Sequence, residues 1–281
     1  MTTPRNILFI DDSVQENKHV YDSVNTNTFP IIYSRNSTKT ELLELLHTQF
    51  TTIDRIGIFC HSLGETSPVF LDVNPFFSSD EPYCENLQFM IDILKEFQVK
   101  NIDYLACETL QYDSWKNYYS ILEKETSVIV GASDDTTGNI KYGGDWVMES
   151  SNEDIELIYF TQNIENYQYL LLTTTINGLT YTYTGGTRDS GALVDTTIVT
   201  NVTIASSFVV NSYTYYVRTI STYAFYNKVA SSVSIPSSII AISSKAFYLN
   251  NLTTINVDSN SPYLSSISGV LFNKPQSNLI A

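Results

Sequence analysis

Cys107 and His61 are the residues around which a reaction can be built in this chain. It has three cysteines (Cys60, Cys84, Cys107) and three histidines (His19, His47, His61). Two of these six close similar runs: Ile56-Gly-Ile-Phe-Cys60-His61 leads into Ser62-Leu-Gly64, and Ile102-Asp-Tyr-Leu-Ala-Cys107 leads into Glu108-Thr109. Short, nearly continuous apolar runs are the pattern of buried parallel strands. In a parallel sheet the carboxyl ends of the strands share one edge, so adjacent strands bring His61 and Cys107 within reach of each other. An imidazole so placed takes the thiol proton, the sulfur attacks an acyl carbon, and backbone N–H groups at the strand ends stabilise the oxyanion. Alternation of strand faces turns Cys60 away from such a site, and Cys84 falls in the polar stretch from Ser78 to Glu85, read as a loop. The competing reading is structural: a cysteine ending a buried strand is also an ordinary small core residue.

The elements that must position this pair are legible from periodicity. Apolar runs recur at Asn6 to Ile10, Phe29 to Tyr33, Arg55 to Cys60, Asn101 to Ala106 and Ser127 to Gly131. Between them, Glu41 to His47, Glu85 to Phe97 and Ser114 to Glu125 carry apolar residues at three- and four-residue spacing, the mark of amphipathic helices. The alternation predicts an α/β domain, a mostly parallel sheet flanked by helices. The first run ends at Asp11-Asp12-Ser13, read as a turn and helix N-cap, with Asp11 and Asp12 kept as candidates for lining the site. After Gly131 the turn clusters Asp134 to Gly138 and Tyr142 to Asp145 bound a short strand at Trp146-Val-Met148.

Composition divides the chain near Thr173. Residues 1–172 carry 27 acidic and 10 basic side chains; residues 173–281 carry 3 and 5, with no Glu, His, Cys or Trp. Covalent chemistry therefore belongs to the first part, and Thr173-Thr-Thr175 is read as a linker. The second part repeats itself: Ile220-Ser-Thr-Tyr-Ala-Phe-Tyr226 recurs as Ile242-Ser-Ser-Lys-Ala-Phe-Tyr248, and Val233-Ser-Ile235 maps onto Ile255-Asn-Val257 with the same shift of 22. Thr203 to Ser207 echoes Ser234 to Ser238 at a spacing of 31, which implies an insertion around Asn211 to Arg218. A period in the twenties signals a β-rich solenoid. Two repeats are few, and no polar capping unit follows them, which leaves a fragment or a cap supplied from elsewhere.

The net charge of −15 opposes binding to nucleic acid or anionic membrane. Membrane insertion is not expected, because no apolar run approaches the length of a spanning helix, and no signal-peptide pattern opens the chain, so a soluble protein is expected. No histidine or cysteine spacing suggests a metal site, and no cofactor is expected.

Residues 5 to about 150 resemble a caspase-like domain of unknown function found in large bacterial surface proteins. The resemblance is carried by Phe9-Ile-Asp11, the block from Ile56 to His61, Leu105-Ala-Cys107, Ala132-Ser-Asp-Asp-Thr-Thr-Gly138 and Gly143-Gly-Asp-Trp146. It implies membership of the caspase-like cysteine peptidase clan, with His61 as base, Cys107 as nucleophile, and no metal or cofactor. Ser62 stands where that clan has a glycine, and it can offer an oxyanion N–H if the turn needs no positive φ. Leu105 stands where arginine-cleaving relatives carry an acid, so no charged specificity pocket is expected. Residues 175–281 resemble bacterial-surface-antigen leucine-rich repeats, with Ala224-Phe225, Ala246-Phe247 and Ile235-Pro-Ser-Ser238 in the typical positions. The combined expectation is a peptidase domain over 1–172 and a repeat domain over 173–281 that selects a protein or peptide target. The alternatives are an inactive caspase-like scaffold serving as an interaction module and an acyltransferase using the same pair.

Overall fold

Five of the apolar runs form a single parallel sheet in the computed structural model. They are β1 (Asn6–Asp11), β2 (Thr28–Tyr33), β3 (Arg55–Phe59), β4 (Asn101–Leu105) and β5 (Ile129–Ala132), in the order β2-β1-β3-β4-β5. The structure describes residues 4–280 apart from 66, 79–82, 172, 184–190, 197–199, 211, 212, 222, 223, 226, 227, 229, 244 and 249. It falls into two compact units, Met1–Leu172 and Thr173–Ala281.

Alternation along β1, β3 and β4 sorts their side chains between two cores. Ile7, Phe9, Ile56, Ile58, Cys60, Tyr104 and Ala106 face one way, where α2 (Lys39–Gln49), α3 (Glu85–Glu96) and α4 (Asp113–Thr126) cover them. Leu8, Ile10, Phe59, Leu105 and Cys107 face the other, beneath α1 (Asn17–Asp22), α5 (Glu156–Tyr159) and the segment 160–171. Local chemistry fixes the helices. Thr38 and Glu41 form a reciprocal capping box at the start of α2, and α4 buries Trp115, Tyr118 and Tyr119 against Tyr104, whose hydroxyl meets that of Tyr118 at 2.6 Å. A short hairpin, β6 (Val147–Met148) with β7 (Glu153–Asp154), follows the sheet.

A buried charge cluster lies on the same face of the sheet as Leu105, Cys107 and Tyr159. Asp103 on β4 is fully buried, accepts the Tyr159 hydroxyl at 2.6 Å and lies 3.3 Å from Arg55 Nε, while Arg55 also pairs with Glu153. Burial pushes the Asp103 carboxyl up to about 6, against the pull of Arg55 and Tyr159. Gly131 on β5 is what leaves room for it, since a Cβ there would overlap the Asp103 carboxylate.

The second unit is strand-rich. An antiparallel and parallel sheet contains β8 (Thr173–Ile176), β9 (Leu179–Thr182), β10 (Gly191–Thr196), β12 (Ser207–Val210) and β13 (Tyr213–Ile220), with β15 (Ala241–Ile242) alongside β13. Thr173–Thr175 is therefore strand rather than linker: β-branched residues favour the extended backbone, and all three pair with β9. A second sheet joins β11 (Asn201–Thr203), β14 (Ser232–Ile235) and β16 (Thr254–Val257), and β17 (Leu264–Ile267) pairs with β18 (Val270–Asn273). The sequence repeats pair with one another in parallel: Thr203 with Ser234, Ser234 with Asn256 and Ile220 with Ile242. The rings of Phe225 and Phe247 stack 5.0 Å apart. Thr222, Tyr223, Tyr226 and Ser244 of the repeat motifs, and Asn211 and Ser212 of the expected insertion, lie outside the described residues. Among the described residues no helix is long and apolar enough to cross a membrane.

Two outcomes are expected for this frame. Gly131→Ala should destabilise the first unit by about 1–3 kcal/mol in chemical denaturation, because the added methyl meets a carboxylate held in place at its other oxygen by Tyr159 and Arg55; an unchanged midpoint would contradict the packing. Because folded Asp103 holds a proton that the unfolded chain releases, its contribution is complete below the unfolded value near 4 and is lost as pH rises to about 6. The melting temperature of Asp103→Asn relative to wild type should therefore rise between those pH values, and a flat difference would show an ordinary carboxylate.

Candidate active site

The register of β3 and β4 sets the site. Phe59 pairs with Leu105, and the Cys60 N–H continues the pairing to the Leu105 carbonyl at 3.3 Å. His61 and Cys107 each come two residues later, on neighbouring strands and at the carboxyl edge of the sheet. Phe59, Leu105 and Cys107 share one face, while Cys60 and Ala106 sit in the opposite core, so Cys60 is turned away from the site. Both candidate groups are buried, His61 at 4% and Cys107 at 1% exposure. No hydrogen bond joins the imidazole and the thiol.

Cys107 is held by the loop that leaves β5. The Thr137 N–H donates to Cys107 Sγ at 3.2 Å, and the thiol faces the Thr137 carbonyl at 3.6 Å. This loop is clamped to the turn after Cys107: the Glu108 N–H donates to the Asp135 carbonyl at 2.7 Å and the Leu110 N–H to the Ser133 carbonyl at 3.0 Å. Glu108 itself is left-handed, with φ 58°, which ends β4 sharply. The glycines of the Thr-Gly and Gly-Gly motifs have a steric reason. A Cβ on Gly144 would lie 2.9 Å from the Gly138 backbone, where the Gly138 N–H donates to the Asp145 carbonyl at 2.8 Å. Trp146 then packs on Phe59 and Phe160, with ring centres 6.2 and 5.3 Å apart.

His61 meets Gln15, whose Oε1 lies 3.2 Å from Nε2. With the amide oxygen placed toward the ring it accepts, which puts the proton on Nε2 and leaves Nδ1 as the basic nitrogen. Nδ1 is buried and has no hydrogen bond of regular geometry. Burial pushes the His61 pKa down; the Leu171 backbone carbonyl and Asp11 oppose this. Burial also pushes the Cys107 thiol well above its ordinary value, helped by Glu108 and Asp135 and opposed by the backbones of Thr137 and Leu171. At rest the pair is a neutral imidazole and a protonated thiol.

The backbone of Leu171 thus faces both groups. Its N–H donates to the Thr137 carbonyl at 3.3 Å, and Leu170 forms an antiparallel bridge with Gly138. The Leu171 side chain is fully buried in the same core as Leu105, Cys107 and Trp146.

The remaining sequence candidates fall around this centre. Ser62 is buried directly after His61, and it is not among the left-handed residues, whereas Gly64 is, at φ 68°. Asp11 is buried rather than solvated, accepting the Ser13 N–H at 2.8 Å and the Tyr33 hydroxyl at 3.2 Å. Asp12 bonds through its backbone, donating to the Tyr33 carbonyl at 2.9 Å and accepting from Asn17. Neither aspartate caps α1, which begins after Glu16, because the turn is four residues longer than the sequence suggests. Gln15, Thr137 and Leu171 were not anticipated. Thr137 lies inside a motif that marked the family resemblance, but its contribution is a backbone N–H, which residue type does not advertise. Elsewhere, the carboxylates of Asp134, Asp135 and Glu149 gather near the surface in a set able to hold a cation.

Among solved structures, the chain is similar to a leucine rich cell surface protein from Faecalibacterium prausnitzii A2-165. The two are 24% identical with a TM-score of 0.29, over 32% of this chain and 24% of that one. It is also similar to the pneumococcal vaccine antigen PcpA, at 12% identity and a TM-score of 0.17, over 39% of this chain and 55% of that one. The chain thus spans about a quarter of the first and just over half of the second, and at these scores neither likeness carries an argument. No curated protein matches the chain. Residues 7–171, more than half of the chain, match the model of the Domain of unknown function (DUF4347), and the chain belongs to that family.

Proposed function

We propose that the first unit is a caspase-like cysteine peptidase with Cys107 as nucleophile and His61 as general base, and that the repeats of the second unit form a solenoid that selects the target. The observation that carries the reading is the treatment of the Cys107 sulfur. A backbone N–H is aimed at it, and a histidine with a buried Nδ1 that makes no regular hydrogen bond occupies the equivalent place after the next strand, where the Leu171 backbone faces both groups. A structural cysteine needs neither.

In this mechanism Cys107 Sγ attacks the peptide carbonyl carbon as His61 Nδ1 takes the thiol proton. The C–N bond then breaks, the proton passes to the departing amine, and water hydrolyses the thioester through the same base. The Thr137 N–H stabilises the sulfur as negative charge forms on it. Proton transfer occurs during attack, since the resting thiol is protonated. The Ser62 backbone is the nearest oxyanion candidate on the histidine side. The apolar Leu105 beside Cys107 favours an uncharged residue next to the cut. The same burial favours the second reading, a silent interaction scaffold, because a buried neutral pair is inert until something uncovers it.

The test is hydrolysis of a fluorogenic peptide library by the full chain and by Leu171→Ala, in which the residue over the pair is trimmed. Activity should fall by about a thousandfold or more in Cys107→Ala and His61→Ala made in that background, and survive Cys60→Ala. Because burial lowers the His61 pKa, the ring in the full chain should titrate below the free-imidazole value of about 6.5 by NMR and move back toward it in Leu171→Ala; the same value in both would contradict burial as the cause. Absence of hydrolysis in a folded Leu171→Ala protein would favour the scaffold.

A further inference from the structure

We infer that Tyr169–Leu171 lie in the groove where the His61/Cys107 site takes its peptide, so that the site's ligand is an extended aliphatic peptide with leucine at the nucleophile, and this stretch of chain competes with it. The inference rests on the peptidase reading for its catalytic meaning, but the groove itself is argued from packing.

The segment is bound as a peptide strand would be. Leu170 bridges Gly138 in antiparallel fashion, and the Leu171 N–H donates to the carbonyl of Thr137, the residue whose own N–H holds Cys107 Sγ. Main-chain pairing of this kind makes no demand on sequence, so another extended chain can form the same bonds, and side-chain pockets then give selectivity. The pocket here is aliphatic. Leu171 is fully buried, and the wall beside Cys107 is Leu105, on the same strand face. A carboxylate or guanidinium placed there would be desolvated without a partner.

Gly138 supplies an independent sign of a close backbone approach. Its φ is +142°, and a Cβ would stand 3.0 Å from Leu170 Cδ2 and 3.2 Å from the Tyr169 carbonyl oxygen. Across the groove, His61 Nδ1 is buried and lacks a regular hydrogen bond, an orphan that a bound peptide's departing N–H would satisfy. Tyr169, at the start of the segment, borders a surface cleft that it shares with Glu16, His19 and residues Asn166–Gln168, which gives that end open space into which to lift.

The experiment follows iodoacetamide labelling of Cys107 by mass spectrometry in the full chain, with thermal unfolding to confirm the fold. Labelling should accelerate by about tenfold or more in Leu171→Ala, where a buried leucine side chain no longer holds the segment down. Tyr169→Ala, at a half-buried position, should accelerate it less and serves if Leu171→Ala does not fold. The capped peptide Gln-Tyr-Leu-Leu, copied from residues 168–171, should slow labelling of the opened variant, and Gln-Tyr-Asp-Asp should not. Unchanged labelling in both variants, or accelerated labelling that neither peptide slows, would overturn the inference. Protection by the leucine peptide without any hydrolysis would sink the peptidase reading and leave the groove standing. Hydrolysis without protection would do the reverse.

Discussion

Parallel pairing of β3 with β4, in register from Arg55 and Asn101 to Phe59 and Leu105, is the constraint from which the rest of the first unit follows. It ends both strands at one edge and two residues short of a polar side chain, so that His61 and Cys107 emerge side by side. It also sends Phe59, Leu105 and Cys107 to the face opposite the three long helices. That face must then be covered by something other than those helices. The covering is two short helices, α1 and α5, the β6–β7 hairpin and the chain from Phe160 to Leu171, and the non-repetitive stretches present backbone groups that no regular ladder uses up. Of these, the Leu171 backbone faces both the sulfur and the imidazole, beside the Thr137 N–H on the sulfur and the Gln15 amide on the imidazole.

Burial has two consequences that pull against each other. It stabilises the unit by placing apolar residues around the strand ends, and it shifts both titrating groups toward their neutral forms. Thr137 is the local answer to the second effect, a directed N–H that favours charge on the sulfur. Its position depends on the doubly clamped loop from Ser133 to Asp145, and hence on Gly138 and Gly144. Asp103, Arg55 and Tyr159 play a comparable part deeper in the sheet, where a charge is kept inside by partners on both sides.

Much of this was legible in the sequence, and the reason is periodicity. The five strands and the three long helices are each announced by apolar spacing, because a parallel strand buried on both faces and an amphipathic helix have patterns that little else produces. The repeat shifts of 22 and 31 were equally legible, and they reappear as parallel pairings in the second unit. What sequence could not convey was backbone. Thr137 acts through its N–H and Leu171 through its N–H and carbonyl, and neither function depends on side-chain identity. Thr173–Thr175 misled in the opposite direction, since a run of threonines reads as a tether until a partner strand is present to pair with it. Asp11 misled because a turn aspartate is ordinarily solvated, and here a tyrosine closes over it.

The segment ending at Leu171, rather than the sheet, is what keeps Cys107 closed. Native-state hydrogen exchange and Cys107 alkylation, followed together in the wild-type chain across increasing denaturant, test it most directly. The amides of residues 167–171 and the Cys107 thiol should open with one common free energy, below that of the β3 and β4 amides. If Cys107 reacts only when β3 and β4 exchange, while residues 167–171 open earlier without exposing it, the segment is not the closure.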